Sequence, residues 1–152
     1  MISIRAVGPG DHEVICEHRR RMFAENDAPL AALDAMAGPF AAWLKPRLED
    51  GRYFGFMAED AGAVVAGIGQ VLLDWPPHFL HPESAFRGYV LNVYVEAAYR
   101  GQGLAQKLMA RAEEAFRERG VIFEVLHASG MGRPLYERLG WMAMPEMGKA
   151  LG

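Results

Sequence analysis

The chain has 152 residues, of which 51% are hydrophobic and 23% charged, so we expect one globular domain over residues 1–152. Its formal net charge of −3 gives no reason to expect nucleic acid as a partner, and its one cysteine, Cys16, excludes an internal disulfide. No apolar run approaches the roughly 18 residues that cross a bilayer, and no signal peptide begins the chain, so we expect a cytoplasmic protein without membrane attachment.

The first part of the chain predicts a strand followed by two helices. Alternating apolar side chains indicate a strand over residues 2–7, which a Gly-Pro-Gly sequence ends. Asp11 stands at the N-cap position of a helix over residues 12–26, where apolar side chains recur at helical spacing. A second helical stretch covers residues 29–48, and we expect Gly38-Pro39 to break it.

The middle of the chain predicts strands. Residues 52–59 and 63–75 indicate two antiparallel strands joined by a short turn that contains Gly62. Three prolines between residues 76 and 82 exclude regular structure there. Residues 89–95 are rich in β-branched and aromatic side chains, which predicts a largely buried strand.

The last part of the chain begins with the clearest helix, over residues 103–120. A strand over residues 121–128 follows, then a short helix near residues 134–139 and a final hairpin within residues 141–151. This order of elements predicts an α/β (α+β) fold with a mixed sheet covered by helices, rather than a uniform Rossmann alternation.

The connection between the strand at residues 89–95 and the helix after it carries the most chemical information. It reads Arg100-Gly101-Gln102-Gly103-Leu104-Ala105. The first turn of a helix has backbone N–H groups without intrahelical partners at the positive end of the helix dipole, which suits a phosphate. Glycines let a ligand approach the backbone, and Arg100 can add positive charge. The residues alone leave open the alternative that both glycines only shape a tight turn.

Two motifs resemble those of the GNAT superfamily of N-acetyltransferases. The loop sequence Arg100-x-x-Gly103-x-Ala105 matches the family signature Arg/Gln-x-x-Gly-x-Gly/Ala. The stretch Leu135-Tyr136-Glu137-Arg138-Leu139-Gly140-Trp141 is similar to the closing motif Leu-Tyr-x-x-x-Gly-Phe, with Trp in place of Phe. The resemblance implies a mixed, mostly antiparallel central sheet of about six or seven strands flanked by helices.

The resemblance also implies a cleft for acetyl-CoA, where the fourth strand, about residues 89–95, diverges from the fifth, about residues 121–128. In the family, pantetheine binds the backbone at the end of the fourth strand, here Val93, Tyr94 and Val95. The amides of the loop hold the pyrophosphate, here from Gly101, Gln102, Gly103, Leu104, Ala105 and Gln106. Ser129 stands where many relatives have an asparagine that contacts CoA.

The family resemblance also suggests catalytic residues. Tyr136 matches the tyrosine that acts as general acid or hydrogen-bonds the thioester sulfur, a task that suits a phenol because it is neutral at pH 7. Glu124 stands where some relatives have a catalytic glutamate, although it could equally be a strand residue that faces solvent. His127 would lie on the opposite face of a regular strand, so the two should not both face the substrate. Tyr89 is near the position of a glutamate base in other relatives, which makes a water-relayed proton path an alternative.

The resemblance therefore implies an N-acetyltransferase that transfers an acetyl group from acetyl-CoA directly to a primary amine, with a small-molecule acceptor and no metal. Two alternatives stay open: a catalytically weak CoA-binding module of the same fold, and an acetyltransferase acting on a protein N-terminus or lysine. A homodimer is compatible with the resemblance. Acceptor recognition would fall to residues 19–28 of the first two helices and to residues 75–86, before the fourth strand.

Overall fold

The computed structural model describes all 152 residues and contains a five-stranded sheet with the strand order β1-β2-β3-β4-β5. The first four strands are antiparallel to their neighbours, whereas β5 runs parallel to β4. The sheet is therefore mixed and mostly antiparallel, as the sequence predicts. The strands are β1 (Ile2–Ala6), β2 (Phe54–Asp60), β3 (Ala63–Asp74), β4 (Phe86–Val95) and β5 (Glu124–Leu126).

Four helices cover the two faces of this sheet. One face packs against α3 through a core that includes Ile68, Val90, Leu108 and Phe116. The other face carries α1 and α2 over a second core, to which Leu44 belongs. We call these the α3 face and the α1/α2 face. None of the helices has the length and apolar character that a membrane span requires. The helices are α1 (His12–Glu25), α2 (Leu30–Asp50), α3 (Leu104–Glu118) and α4 (Arg133–Arg138).

The predicted break in the second helix is wrong, because α2 continues through both Pro39 and Pro46. Both prolines are exposed, so water can bind the carbonyl groups that lose their helical partners. The opposite side of the helix is held in the core by buried side chains at helical spacing, namely Leu33, Phe40, Leu44 and Leu48. Packing of this apolar face outweighs the local cost of the prolines.

The expected count of six or seven strands is also wrong, since the sheet has five. The fifth strand is shorter than predicted and pairs with β4 over only three residues. Residues 141–152 form no regular structure, so the predicted final hairpin is absent. Pro145 removes a backbone donor in the middle of this segment, which disfavours a paired strand there.

A bulge in β4 determines where the sheet opens. The register with β3 slips by one residue between Leu91 and Tyr94. Within the slip, Asn92 has a φ of 55°, a left-handed conformation that asparagine tolerates better than most residues. Its side-chain amide donates to the hydroxyl of Tyr53 at 3.0 Å and accepts from Arg19 Nη1 at 2.7 Å. These bonds hold the bulge from the α1/α2 face.

The bulge coincides with the end of pairing between β4 and β5. The last paired residues are Val90 and Leu126, whereas β4 continues to Val95. The final residues of β4 therefore have no partner strand on that side, and a gap opens between the two strands. This is the divergence that the family resemblance implies.

Candidate active site

A groove of about 320 Å³ lies beside the unpaired end of β4. It is bounded by the start of α3, by α4 and by the C-terminal end of α1. Neither Gln102 nor Glu124 is among the residues that line it. The other residues predicted from the sequence come together in its walls: Val93, Tyr94, Val95, Arg100, Gly101, Gly103, Leu104, Ala105, Gln106, Ser129 and Tyr136.

The loop before α3 presents a continuous row of backbone donors. The six N–H groups from Gly101 to Gln106 have no hydrogen-bond acceptor within the protein. Two left-handed residues create this arrangement, Gly101 with a φ of 76° and Gly103 with a φ of 78°. A Cβ at either position would meet nothing within 4 Å, so the backbone conformation rather than space requires glycine. The row lies at the positive end of the α3 dipole, which makes it a site for an anion.

Arg100 is already paired within the protein. Its guanidinium donates to both carboxylate oxygens of Glu25 at 2.9 Å and to the carbonyl of Val95 at 2.8 Å. The hydroxyl of Tyr94 also donates to Glu25, at 3.1 Å. Burial, with the carboxylate of Glu25 as a further cause, raises the pKa of Tyr94. These bonds tie the loop and the end of β4 to the C-terminal end of α1.

Tyr136 places a free hydroxyl in the groove. The ring is buried against the α3 core and contacts Trp141 edge-on, with the ring centroids 6.1 Å apart. The hydroxyl makes no hydrogen bond within the protein, and Tyr136 is one of the residues that line the groove. Burial raises the pKa of Tyr136, which keeps the phenol protonated at neutral pH. It can therefore donate a hydrogen bond or a proton to a group in the groove.

The hydroxyl group of Ser129 accepts one hydrogen bond within the protein and keeps its own hydrogen free to donate. Its Oγ accepts a hydrogen bond from the N–H of Gly132 at 3.1 Å, immediately before α4. A serine hydroxyl both accepts and donates, so its own hydrogen is still available to the groove. Ser129 thus positions the helix that carries Tyr136.

Glu124 lies on the α3 face at the start of β5. Its register partner is Gly88, where an added Cβ would contact the ring of Phe116 on α3. One oxygen of the carboxyl group is buried without a hydrogen-bond partner. Burial, together with the nearby charge of Glu113, raises the pKa of Glu124 to about 7. Glu124 is not among the residues that line the groove, and its role as a base stays a prediction.

Three further residues of the groove wall lie within residues 19–28, the range that the family resemblance assigns to acceptor recognition, although none of them was predicted individually. Met22, Glu25 and Asn26 line it from the end of α1. No local pattern marks these residues, because their partners on β4 and in the loop lie about 70 residues further along the chain; Glu25 and Arg100 are 75 residues apart. No group of three or more His, Cys, Asp or Glu side chains is placed to hold a metal ion.

Comparison with known proteins agrees with this geometry. Residues 14–141 match the model of the acetyltransferase (GNAT) family. A GCN5-related N-acetyltransferase from Ralstonia eutropha JMP134 is 48% identical, with a TM-score of 0.98 and 99% of each chain covered. No curated protein matches the chain significantly.

Two more distant structures share the fold. A predicted acetyltransferase from Clostridium acetobutylicum, solved with acetyl-CoA, is 23% identical with a TM-score of 0.87, covering 99% of this chain and 96% of the other. An aminoglycoside acetyltransferase from an uncultured soil metagenomic sample, in complex with sisomicin, is 13% identical. Its TM-score is 0.69, and the match covers 99% of this chain and 97% of the other. The groove, the two motifs and the family match lead to one conclusion: the chain belongs to the GNAT family of acetyltransferases and is an acyltransferase.

Proposed function

We propose that this enzyme transfers the acetyl group of acetyl-CoA directly to a primary amine of a small molecule. One observation carries the proposal: five of the six residues with unpaired N–H groups, the unpaired end of β4 and Tyr136 line one groove. A ligand that suits all three has an anionic end, an extended amide-bearing middle and a reactive end. Acetyl-CoA has these parts in this order, and it supplies an activated acetyl thioester when bound.

The chain offers a distinct set of groups to each part. The N–H groups of residues 101–106 would hold the pyrophosphate, because they combine free donors with the helix dipole. The backbone of Val93, Tyr94 and Val95 would bind the pantetheine amides as an added strand does. The hydroxyl proton of Ser129 is available for a further contact, as the sequence predicts. Arg100 would contribute mainly by holding the loop against Glu25, since its charge is already paired.

Tyr136 would act on the leaving group. The C–S bond breaks as the acyl group moves to the amine, and the thiolate sulfur needs a proton. A buried phenol with no competing hydrogen bond can donate to that sulfur without first being released from a protein partner. This assigns Tyr136 the role of general acid.

We infer a small-molecule acceptor by analogy with the aminoglycoside acetyltransferase of the same fold. At that degree of identity the likeness concerns the fold, so the acceptor class needs its own test. Met22 and Asn26, at the end of α1, line the groove and would be among the side chains that an amine meets there.

Two measurements test the proposal. Acetyl-CoA at about 1 mM should raise the Tm, because a ligand that binds only the folded state stabilises it. Release of the CoA thiol should then follow addition of at least one small amine from a panel of spermidine, tryptamine, glucosamine and kanamycin. Short peptides with a free N-terminus or a lysine serve as the comparison set. Turnover confined to the peptides would reject the small-molecule acceptor, a Tm shift without any turnover would favour a CoA-binding module, and no shift would reject both.

A further inference from the structure

The gap between β4 and β5 is flanked on the α1/α2 face by two side chains that the mechanism above does not use. Tyr89 lies on β4 one residue before the last paired position, and it packs against the core of that face. His127 follows the last residue of β5. The hydroxyl of Tyr89 lies 2.8 Å from Nδ1 of His127. These side chains therefore meet where the two strands separate, on the face opposite to Tyr136 and α3.

A third group completes a chain of hydrogen bonds. Glu146, in the irregular C-terminal segment, contacts Nε2 of His127. With an ionised Glu146 and a neutral imidazole, Nε2 carries the hydrogen and donates to the carboxylate. Nδ1 is then the acceptor, so the hydroxyl of Tyr89 donates to it. This assignment leaves the lone pairs of the Tyr89 oxygen free to accept a proton from a group in the gap.

We propose that Tyr89, His127 and Glu146 form a proton relay that deprotonates the acceptor amine, with the Tyr89 oxygen as the atom that contacts it. The inference rests on the proposed function. As the amine nitrogen bonds to the acetyl carbon, its N–H bond breaks and the proton passes to the Tyr89 oxygen. The hydroxyl proton of Tyr89 moves at the same time to Nδ1 of His127, and the imidazolium is stabilised by Glu146. On the other side of the gap, the C–S bond breaks and the thiolate takes the proton of Tyr136.

The electrostatic surroundings favour a relay over a free phenolate. Burial raises the pKa of Tyr89, and the charge of Glu146 acts in the same direction, whereas the guanidinium of Arg19 on α1 opposes them. An ionised Tyr89 is therefore a poor resting state near neutral pH. An imidazole that accepts the phenol's proton during transfer removes the need for a free phenolate. Tyr89, His127, Glu146 and Arg19 are the titratable or charged groups that these contacts bring together at the site.

The relay would also place acid and base on opposite faces of the sheet. Tyr136 reaches the gap from the α3 face, and Tyr89 flanks it on the α1/α2 face. An acyl group held in the gap could then be attacked from one side and lose its leaving group on the other. The alternative is that the three side chains only fasten the C-terminal segment to the sheet, and this role predicts a loss of stability without a change in pH dependence.

The test compares His127→Gln and Tyr89→Phe with the unchanged enzyme, using whichever of the four panel amines is acetylated fastest. Each variant should lower kcat by at least about 30-fold, while the Kd for acetyl-CoA changes less than twofold. In the unchanged enzyme, kcat should fall toward acid pH, because the relay accepts a proton only while the imidazole is unprotonated, and His127→Gln should abolish this limb. Glu146→Gln should lower kcat about fivefold, because the imidazolium formed during transfer loses its carboxylate partner. His12→Gln is the matched control, since His12 only bonds the carbonyl of Ala41 on α2.

The outcomes separate the relay from the proposed function. If His127→Gln keeps kcat within threefold and the same pH profile, the relay is rejected while acetyl transfer stands. If the unchanged enzyme binds acetyl-CoA but acetylates no amine, both are rejected. Nitrogen NMR of His127 gives a readout that needs no acceptor: the relay requires the hydrogen on Nε2 in the neutral ring, and a hydrogen on Nδ1 would overturn it.

Discussion

The two faces of the sheet expose their chemistry at the β4–β5 gap in different ways. On the α3 face, the available groups are main-chain N–H donors and one phenol without a protein partner. On the α1/α2 face, side chains bind one another in networks, such as Asn92 with Tyr53 and Arg19, and Tyr89 with His127. The N–H donors of the first set come from six consecutive residues. The second joins residues 38 to 73 positions apart, so each bond depends on the tertiary fold.

This difference predicts which substitutions should disrupt each region. A groove built from main-chain groups is lost only when the backbone conformation or the local charge changes. A network built from side chains is weakened by any single replacement. The variants below test that contrast, beginning with the largest expected effect.

Gly103→Asp should eliminate detectable acetyl-CoA binding at about 1 mM, a limit of roughly −4 kcal/mol in binding free energy. The substitution places a residue other than glycine in a left-handed backbone conformation and adds a negative charge beside the N–H row. Isothermal titration calorimetry measures the loss. Gly120→Asp is the matched control, because Gly120 has a φ of 75° at the other end of α3, where a Cβ is equally unhindered. Equal loss of affinity in both variants would mean that instability, rather than the row, explains the result.

Tyr136→Phe should lower kcat about 100-fold and leave the Kd for acetyl-CoA within threefold. The ring keeps its packing, and only the free hydroxyl disappears. Steady-state kinetics with direct binding measurements separate the two effects. Tyr99→Phe is the control, since Tyr99 lines the same groove but its hydroxyl donates to Asp60. A parallel decline of kcat and affinity in Tyr136→Phe would reduce Tyr136 to a packing residue.

Asn92→Gly should lower the free energy of unfolding by about 2 kcal/mol, because two side-chain hydrogen bonds at the bulge are lost. Asn92→Leu should cost at least about 1 kcal/mol more, since leucine adds strain in the left-handed conformation. Urea unfolding of both variants gives the comparison. A leucine variant as stable as the glycine variant would show that the bulge relaxes and that its conformation is not required.

Glu124→Gln should raise the free energy of unfolding by about 1 kcal/mol at pH 8, a figure reduced for solvent screening of a partly exposed group. The folded-state pKa of about 7 lies above the unfolded value of about 4.5, so the ionised carboxylate destabilises the fold. Stability should therefore decline as the pH rises from about 4.5 to about 7 and level off above that. The variant should lose this slope, whereas Glu118→Gln on the exposed side of α3 should keep it.

The same variant tests the two candidate bases against each other. If Glu124 is the base, kcat falls in Glu124→Gln and the pH profile changes. We expect kcat to change less than threefold, because the carboxyl group lies on the α3 face, whereas the proposed base lies on the opposite face of the sheet.

The sequence was most informative where the chemistry is local. The glycine loop, its helix and Tyr136 each occur within a short motif, and the structure brings them into one groove. The bulge had a faint signal, since Asn92 interrupts a β-branched and aromatic strand and asparagine tolerates the left-handed region. Its partners Tyr53 and Arg19 could not be inferred, because no periodicity links residues 39 and 73 positions away.

Two other features depended on tertiary context. Whether a proline breaks a helix depends on whether the backbone carbonyl that loses its helical hydrogen bond finds another partner. Pro39 and Pro46 are exposed, so water can be that partner. The contribution of α1 to the groove depends on the bonds between Glu25 and Arg100, which exist only once the end of β4 meets that helix. Local propensity does not contain either kind of information.

The row of main-chain donors before α3 has a consequence for how such enzymes diversify. Every amino acid except proline carries the same N–H group, so most point mutations in this loop leave the donors in place, and the two glycines alone restrict what is accepted. The α1/α2 face has no such protection, because its groups are side chains, and a single amino-acid substitution removes one of them. Under the proposed function, natural variation can therefore change the amine that is modified while the nucleotide end of acetyl-CoA is still held. We expect lineages of this chain to differ first in their choice of amine.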